Sequence, residues 1–301
     1  MSSEQTVRRV FAGVDGGGTG TRLRLTDESG TVLGVGQGGR ANIATDPHVA
    51  WASICTALDQ ALARAELDEF SLHWAFGLAG AEVSEKRQLF LEMTPSDLPR
   101  PIVVTDAYTA CLGAHDGKDG AIIVVGTGSV GYAIRSGADG VHTRRVGGWG
   151  FPQGDEGSGA WIGREVLAAM LRAHDGRRVP DALSKACWDY LQQEADPLAW
   201  GVNKRGGDFA RLAPLAIRQA EEGCIEAQRL LSAAAREVEV LISALIDAPG
   251  FSDLPISGLG SLTSILMTYF DKSRKYLFKA PLGDAVDGAL LLVHRAMNDR
   301  K

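Results

Sequence analysis

The sequence has few cysteines and no spacing that would pair them. Its four cysteines, Cys55, Cys111, Cys187 and Cys224, are scattered and form no CxxC motif. Scattered cysteines are typical of a reduced, cytoplasmic protein in which they pack as small apolar side chains. The segment Met1–Arg9 lacks the apolar stretch of a signal peptide, and no apolar run approaches the ~20 residues of a membrane span. We therefore expect a cytoplasmic protein with no membrane partner.

The chain also lacks a large excess of charge of either sign. The 31 basic and 37 acidic residues give a formal net charge of −6, and no block of like charges occurs. This balance argues against a nucleic-acid partner and against attraction of anionic ligands by the overall field. An anionic ligand would instead need local hydrogen-bond donors and a cation such as Mg²⁺.

Glycine, in contrast, is abundant and clustered in turns. Asp15-Gly16-Gly17-Gly18-Thr19 joins two strand-like runs, and Gly126-Thr127-Gly128-Ser129 repeats this layout in the second half. Because glycine has no Cβ and tolerates positive φ, such turns bring bare backbone N–H groups close to a ligand. Such N–H groups bind phosphate, and an acidic residue beside them, here Asp15, suits hydrated Mg²⁺. Each turn alone is equally typical of an ordinary hairpin, but the pair predicts a nucleotide held through its phosphates.

The strand and helix patterns predict two similar halves. Each half begins with three strands around its glycine turn, and the first half continues in the ribonuclease H-like order. Its predicted elements are strands at 10–14, 21–25, 31–35, 72–78 and 102–104 and helices at 46–65, 84–93 and 106–115. The second half has predicted strands at 120–125, 130–134, 141–146 and 254–256, a helix from about 160 and a closing helix at 285–297. Between them, an amphipathic helix is predicted through 225–245, with Ile225 and Leu245 on its apolar face.

A short polar segment, Asp116–Asp119, separates the two halves. Because single cores rarely grow beyond about 250–300 residues, we expect two domains in this chain. The expected ribonuclease H-like domains are 1–117 and 118–301, with a cleft between them that a hinge can close. The closing helix, about 285–301, can pack back on the first domain.

Asp106 is the first candidate for chemistry. It follows the predicted strand at 102–104 and begins a helix, so its carboxylate is expected at the carboxyl edge of a sheet. Position alone is equally typical of a helix N-cap. Beside phosphate-binding turns, however, an ionised carboxylate is also the group with which a kinase accepts a proton from a substrate hydroxyl.

The segment Gly147–Gly159 is the most unusual part of the chain. Seven of its thirteen positions are glycine or proline, with Trp149 near its start and Asp155 in its middle. Carboxylates accept hydrogen bonds from sugar hydroxyls and aromatic rings pack on sugar C–H faces, so the segment is typical of a polyol-binding loop. The alternative is a long surface loop whose acids cap the next helix.

Two signals are weaker when taken alone. Asn42 follows the third predicted strand and can bind a ligand hydroxyl, although asparagine is also common in turns. Ser257-Gly258-Leu259-Gly260-Ser261 is expected to follow the last short strand, where its glycines would leave room for an adenine ring.

Taken together, these motifs resemble the phosphate motifs of the actin-like sugar kinases and Hsp70-type ATPases. Within that superfamily, Thr105–His115, Gly147–Gly150 and Gly154–Ser158 resemble the glucosamine and N-acetylglucosamine kinases grouped with the BadF/BadG ATPases. The resemblance extends from Val10 to about Leu292. It implies an α/β, actin-like ATPase fold of two ribonuclease H-like domains with a cleft between them. The implied reaction is ATP-dependent phosphorylation of an amino sugar at its 6-hydroxyl.

The resemblance also implies roles for individual residues. Asp106 is implied to be the catalytic base, and Asp15 to hold Mg²⁺. The implied sugar-binding residues are Asn42, Gly148, Trp149 and Asp155. The implied nucleotide-binding residues are Gly16, Gly17, Gly18, Thr19, Thr127, Gly128, Ser129, Gly258, Gly260 and Ser261. ATP and an amino sugar are thus the expected partners, and a homodimer is compatible with the pattern.

The chain departs from the mammalian N-acetylglucosamine kinases at Val130, where those enzymes have an asparagine near the acetamido group. The residues from Tyr108 to His115 and the segment Gly283–Ala289 are more similar to bacterial glucosamine kinases, so glucosamine is slightly favoured. Two other functions stay open. One is a BadF-type ATPase activator subunit of a dehydratase or reductase, which would hold an iron–sulfur cluster through cysteines. The other is a non-enzymatic sugar sensor, a class that usually carries a helix-turn-helix.

Overall fold

The computed structural model describes residues 7–67 and 69–298, and the chain divides into two units. The first unit comprises Met1–Gly120, Ser136–Val141 and Pro281–Lys301, and the second comprises Ala121–Arg135 and His142–Ala280. The segment after residue 280 therefore groups with the first unit. Residues 299–301 of the expected closing helix lie outside the described residues.

Ten strands and eleven helices are numbered in chain order along the described residues. The strands are β1 (Arg8–Gly16), β2 (Thr21–Thr26), β3 (Val32–Gly38), β4 (Phe70–Leu78), β5 (Ile102–Thr105), β6 (Gly120–Val125), β7 (Ser129–Gly137), β8 (Gly140–Gly147), β9 (Ile256–Leu259) and β10 (Phe278–Lys279). The helices are α1 (Pro47–Ala65), α2 (Ser84–Glu92), α3 (Asp106–Ala114), α4 (Gly159–His174), α5 (Ala182–Leu191), α6 (Gly206–Ala210), α7 (Ala213–Glu221), α8 (Ile225–Ile246), α9 (Thr263–Met267), α10 (Lys272–Lys275) and α11 (Ala285–Asn298). Within the part of the chain that the structure describes, no helix is both long and apolar enough to cross a membrane.

Each unit is built on a five-stranded sheet with the same topology. The first sheet has the order β3-β2-β1-β4-β5, in which β1 is antiparallel to β2 and parallel to β4, and β4 is parallel to β5. The second sheet has the order β8-β7-β6-β9-β10, with β9 parallel to both β6 and β10. Both sheets therefore place the third, second, first, fourth and fifth strands of their unit side by side, which confirms the predicted ribonuclease H-like pattern.

Three glycines of β3 allow α1 to lie directly on that strand. A Cβ on Gly36 would lie 1.8 Å from the carbonyl oxygen of Ala57 in α1. A Cβ on Gly34 or Gly38 would lie 2.1 or 2.0 Å from the carbonyl oxygen of another α1 residue, four positions from Ala57. Real Cβ atoms do not approach backbone oxygens so closely. The alternation of glycine along β3 therefore matches the helical repeat of α1, and together they bring two backbones into contact.

Aromatic side chains fill the core on the α1 side of the first sheet. Trp51 stacks on Phe90 with ring centroids 4.6 Å apart, and Trp74 contacts Phe76 edge to face at 4.7 Å. The opposite face of the sheet is covered by α11, whose Val286 and Leu290 pack in one buried cluster with residues of β1 and β4. The sheet is therefore buried on both faces around β1 and β4.

The second unit encloses its core between β6 and its longer helices. Helix α8 contributes Leu231, Val238, Ile242 and Leu245, all at most 1% exposed. Ile225, which the amphipathic pattern assigned to the same face, is 63% exposed. That assignment is wrong, because Ile225 is the first residue of the helix and lies at its solvent-exposed end.

The strand predicted at 254–256 instead spans Ile256–Leu259. Pro255 has no N–H to donate to a ladder, and its carbonyl oxygen accepts from the N–H of Ala121 at 2.8 Å. Pairing with β6 therefore begins at Ile256. As a consequence, Ser257, Gly258 and Leu259 lie within β9 and not after it, which corrects the expected position of that motif.

The contact between α1 and β3 predicts that Gly36→Ala is strongly destabilising. The added methyl group would displace α1 from the sheet, and overpacking of this kind typically costs ~1–3 kcal/mol or more. Thermal unfolding followed by circular dichroism should show a clearly lower midpoint for Gly36→Ala. Gly207→Ala is the matched control, because Gly207 is exposed, lies in α6 and has no atom within 4 Å of a built Cβ. Equal midpoints for the two variants would contradict this account of the packing.

Candidate functional site

The first glycine turn lies at the carboxyl ends of the parallel strands of the first unit. Gly16 ends β1 and pairs with Leu78 of β4, which in turn pairs with Thr105 of β5. A Cβ on Gly16 would lie 2.6 Å from the Leu78 side chain, whereas a Cβ on Gly18 would have no atom within 4 Å. The turn is therefore closely packed where it leaves the sheet and open at its tip. An open tip leaves room for a ligand to approach the backbone.

Neither turn needs glycine for an unusual φ, and a Cβ would meet close neighbours only at Gly16 and Gly128. The glycines of these turns all lie outside the left-handed region, and they are Gly16, Gly17, Gly18, Gly126 and Gly128. The expectation that positive φ shapes the turns is therefore wrong. Without side chains, these residues instead leave the backbone accessible or fit against their neighbours.

Asp106 lies at the same sheet edge as the first turn, because it directly follows β5. Two strand spacings, about 10 Å, separate β1 from β5. The N–H of Ala107 donates to the Asp106 carboxylate at 2.8 Å. The N-cap of α3 is Thr105, whose hydroxyl oxygen accepts from the N–H of Tyr108 at 3.2 Å. The structure thus gives the capping role to Thr105, and the half-buried Asp106 carboxylate is positioned at the edge of the sheet.

Asn42 lies between the first turn and the end of β4. The N–H of Ala41 donates to the carbonyl oxygen of Gly17 at 2.8 Å, and the N–H of Ile43 donates to that of Ala79 at 3.0 Å. The Oδ1 of Asn42 accepts a backbone N–H two residues later at 3.0 Å. The amide oxygen therefore shapes the turn, which leaves the Nδ2 group as the one that can donate to a ligand.

Arg22 is a residue of this edge that sequence reasoning missed. Its Nη2 and Nε donate to the same oxygen of Asp15, Oδ2, at 2.7 and 3.2 Å. Arg22 pairs with Asp15 across the hairpin of β1 and β2, and the alternation of residues in β2 does not by itself show this register. The pair holds the Asp15 carboxylate against β2, next to the first glycine turn.

The donor set of the first unit fits Mg²⁺ held by one carboxylate. Among residues 7–67 and 69–298, no three His, Cys, Asp or Glu side chains gather into a group that could enclose a metal. Mg²⁺ keeps several waters and usually takes only one or two carboxylates together with substrate phosphates. Asp15 beside an open glycine turn matches that requirement.

The second glycine turn is held by the start of α4. The N–H groups of Gly159 and Ala160 donate to the carbonyl oxygens of Gly126 and Thr127 at 2.8 and 3.1 Å. Ser129 fixes the other end of the turn, because its hydroxyl donates to the carbonyl oxygen of Glu156 at 2.7 Å. Gly126 itself would have no atom within 4 Å of a Cβ, so this turn also combines a fixed base with an open tip.

Asp155 connects the second turn to the glycine-rich loop. Its carboxylate accepts from the N–H of Ser129 at 3.4 Å and from the backbone of Gly150, and it lies about 3 Å from a Cβ built on Gly128. Burial raises the pKa of the Asp155 carboxyl above its ordinary value, while the two backbone hydrogen bonds oppose that shift. Its φ of +60° is uncommon for a residue with a side chain. The surrounding loop therefore holds Asp155 in a conformation that it would rarely adopt alone.

The glycine-rich loop turns sharply at positions where only glycine is unstrained. Gly147, Gly148, Gly150 and Gly157 have φ between +69° and +87°. A Cβ on Gly148 would also lie 2.9 Å from the Val130 side chain. Val130 therefore borders the loop directly.

Trp149 is 68% exposed, and one face of its ring is covered by Arg145. The guanidinium carbon of Arg145 lies 5.1 Å from the ring centroid, a distance typical of a cation–π contact. Arg145 also donates to the carbonyl oxygens of Gly147 and Gly148. Sequence reasoning missed this arginine, which orients the ring and leaves its other face accessible.

Gly260 and Ser261 lie beside the second turn, because β9 and β6 are parallel and both end at this edge. Gly260 has φ +87°, and a Cβ there would lie 2.3 Å from the carbonyl oxygen of Val125. A Cβ on Gly258 would lie 2.7 Å from the side chain of Thr263. These contacts give both glycines a packing role.

Comparisons with known proteins find similar proteins over most of the chain. The model of the BadF/BadG/BcrA/BcrD ATPase family matches residues 12–273. A glucosamine kinase from Vibrio cholerae is 33% identical over 285 residues, which cover 93% of this chain and 94% of that protein. An N-acetylmuramic acid/N-acetylglucosamine kinase from Clostridium acetobutylicum is 28% identical over 282 residues, with 89% and 90% covered.

The fold is likewise similar to that of a solved relative. The crystal structure of a Chromobacterium violaceum protein, provisionally described as an N-acetylglucosamine kinase, matches with a TM-score of 0.86 at 34% identity, over 95% of this chain and 99% of that one. Together with the two ribonuclease H-like sheets, this likeness confirms the predicted actin-like ATPase fold. Matched by the family model over most of its length and by a relative over nearly all of it, the chain belongs to the BadF/BadG/BcrA/BcrD ATPase family.

Proposed function

We propose that this protein is a hexosamine kinase that transfers the γ-phosphoryl group of ATP to the 6-hydroxyl of an amino sugar. The products would be the sugar 6-phosphate and ADP. The observation that carries the proposal is the strand register of the first unit. Strand β5, which Asp106 directly follows, ends at the same sheet edge as β1 and the open turn after Asp15, and two strand spacings, about 10 Å, separate these strands. Relatives named as glucosamine and N-acetylglucosamine kinases over almost the whole chain favour amino sugars as the acceptor.

Asp106 would act as the general base. Its carboxylate is oriented by the N–H of Ala107 and lies at the start of α3, where the helix dipole favours negative charge. The carboxylate would accept the proton of the 6-hydroxyl as the oxygen attacks the γ-phosphorus. Phosphoryl transfer needs little other covalent help from a protein, so positioning and charge neutralisation would supply most of the rate.

The glycine turns would hold the nucleotide through bare backbone. The proposed nucleotide-binding residues are Gly16, Gly17, Gly18, Thr19, Thr127, Gly128, Ser129, Gly258, Gly260 and Ser261. Asp15 would hold Mg²⁺, largely through water. When bound, the cation would neutralise charge on the phosphates that are being cleaved.

The proposed sugar-binding residues are Asn42, Gly148, Trp149 and Asp155. The open face of the Trp149 ring suits the C–H face of a sugar, and the Nδ2 group of Asn42 can donate to a hydroxyl oxygen. Asp155 touches both the loop and the second turn, so it would adjust sugar and phosphate positions together.

An activator subunit that holds an iron–sulfur cluster is disfavoured by the positions of the cysteines. Cys111 and Cys187 are fully buried, and burial raises the pKa of the Cys187 thiol to about 12. Cluster ligands are thiolates, which buried apolar surroundings oppose. None of the four cysteines forms a disulfide within the described residues.

The proposed activity is tested by coupled ADP release with Mg²⁺, ATP and a panel of glucosamine, N-acetylglucosamine, N-acetylmannosamine and glucose. Turnover should be fastest with an amino sugar. The absence of turnover on every hexose would overturn the kinase assignment.

Asp106→Asn should abolish phosphoryl transfer while ATP affinity stays unchanged. Loss of a general base typically costs ~10²–10⁴-fold in rate. The rate comes from ADP release and the affinity from calorimetry. Asp116→Asn, an exposed change of the same kind in the same unit, is the control. Retention of half the turnover or more by Asp106→Asn would show that another group accepts the proton.

Asp155→Asn should weaken sugar binding far more than nucleotide binding. Asparagine keeps the shape and tolerates φ of +60°, so the variant mainly removes the charge. A charged hydrogen bond contributes ~1.5–3 kcal/mol, which corresponds to roughly ten- to a hundredfold in sugar affinity. Calorimetry with each ligand separates the two effects, and the exposed Asp253→Asn is the control. If nucleotide affinity falls and sugar affinity does not, Asp155 belongs to the phosphate site.

Val130 should favour glucosamine over N-acetylglucosamine. An apolar side chain beside Gly148 offers the acetamido group no hydrogen bond, and an unpaired buried polar group costs ~1–3 kcal/mol. Comparison of kcat/KM for the two sugars should show roughly a tenfold or greater preference for glucosamine. Val130→Asn should reduce that preference. A wild-type value for N-acetylglucosamine equal to or above that for glucosamine would contradict the argument.

A further inference from the structure

A chain of ion pairs in the first unit begins at Asp15 and ends at the N-terminus of α11. Arg22 contacts Asp15 at 2.7 Å and Asp284 at 2.8 Å. Arg24, two residues further along β2, lies 3.9 Å from the same oxygen of Asp284 and also pairs with Asp287. Two arginines of one strand thus connect the candidate metal ligand to two carboxylates that begin the C-terminal helix.

Asp284 uses its two carboxylate oxygens for different purposes. Oδ1 accepts from the N–H groups of Val286 and Asp287 at 2.9 and 3.0 Å, which caps the start of α11. Oδ2 accepts from Arg22. Burial disfavours the charge of Asp284, but the N–H of Asp287 and the two arginines outweigh it and lower the pKa of this carboxyl. Asp284 is therefore a fixed anionic acceptor for Arg22.

Arg22 and a cation would compete for Asp15. Both hydrogen bonds from Arg22 to Asp15 go to Oδ2, so Arg22 occupies one oxygen of the carboxylate. Mg²⁺ would need the negative charge that Arg22 neutralises. The Arg22 side chain is 52% exposed, so it has room to move, and Asp284 is already within hydrogen-bond distance on its other side.

We propose that Arg22 and Asp284 together set the affinity of Asp15 for Mg²⁺: Arg22 competes with the cation, and Asp284 retains Arg22 when the cation binds. Both are positioning residues that act on Asp15, and the inference rests on the proposed role of Asp15 in metal binding. Loss of Arg22 removes the competitor. Loss of the Asp284 charge leaves Arg22 with Asp15 as its main partner, which strengthens the competition.

The test measures ADP binding by calorimetry at a series of Mg²⁺ concentrations, so that no turnover is required. The quantity of interest is the Mg²⁺ concentration that gives half of the increase in ADP affinity. Arg22→Gln should lower it by about two- to fivefold, the range expected for a partly exposed ion pair. Asp284→Asn should raise it by a similar factor, because asparagine keeps the helix cap and removes only the charge.

The double variant shows whether Asp284 acts through Arg22 or independently of it. Because Asp284 acts through Arg22, Arg22→Gln combined with Asp284→Asn should behave like Arg22→Gln alone. Arg9→Gln, which breaks the pair with Glu28 elsewhere on the same sheet, should leave the Mg²⁺ dependence unchanged. Shifts in the same direction for Arg22→Gln and Asp284→Asn would overturn the proposal. Weaker ADP binding by Arg22→Gln in the absence of Mg²⁺ would also overturn it, since Arg22 would then be a phosphate ligand.

Asp15→Asn distinguishes failure of this inference from failure of the metal assignment. If Asp15→Asn does not change the Mg²⁺ dependence, Asp15 is not the metal residue and both ideas fall. If Asp15→Asn weakens the dependence but Arg22→Gln does not strengthen it, the metal assignment stands and the competition does not.

Discussion

The parallel pairing of β1, β4 and β5 is the constraint on which the candidate chemistry of the first unit depends. Parallel strands end at the same edge of a sheet, so residues that follow them are brought together however far apart they lie in the sequence. Gly16, Leu78 and Thr105 share one register line, and the first glycine turn, Asn42 and Asp106 are arranged around it. In the second unit, the parallel pairing of β6 with β9 does the same for the second turn and Gly260.

This arrangement depends on close contact between backbones. Glycine contributes to the structure in three different ways. In β3, glycine allows α1 to lie on the sheet. In the loop that begins at Gly147, it supplies left-handed turns. At the tips of the two glycine turns, it leaves empty space beside the backbone. The first use contributes mainly to stability, whereas the other two shape surfaces on which a ligand can be bound. Replacement of glycine is therefore expected to lower stability at the first kind of position and to change a possible binding surface at the other two.

Features that depend on local pattern were predictable from the sequence. The two glycine turns, the strand before Asp106 and the order of elements in the first half each follow from a few neighbouring residues. The predicted start of β9 was wrong, because the apolar pattern takes no account of the missing N–H of Pro255. The φ of the turn glycines was also predicted wrongly, since composition alone does not separate a need for space from a need for conformation.

Contacts between distant residues could not be predicted in this way. Arg22 and Asp284 are 262 positions apart, and only the placement of α11 on the first sheet brings them together. The position of Asp155 against the second turn depends on a left-handed residue inside a long loop, for which no sequence pattern is specific. The contact between Arg145 and Trp149 could not be predicted either, because it forms only where the loop folds back and brings the ring against the arginine.

The most direct test of the account is the identity of the product that the purified protein forms from glucosamine, ATP and Mg²⁺. Phosphorus NMR with coupling to the sugar protons shows which oxygen carries the new phosphate. The account predicts glucosamine 6-phosphate, formed in equal amount to ADP. Phosphate on the anomeric oxygen, or ADP formed without any phosphorylated sugar, would contradict it.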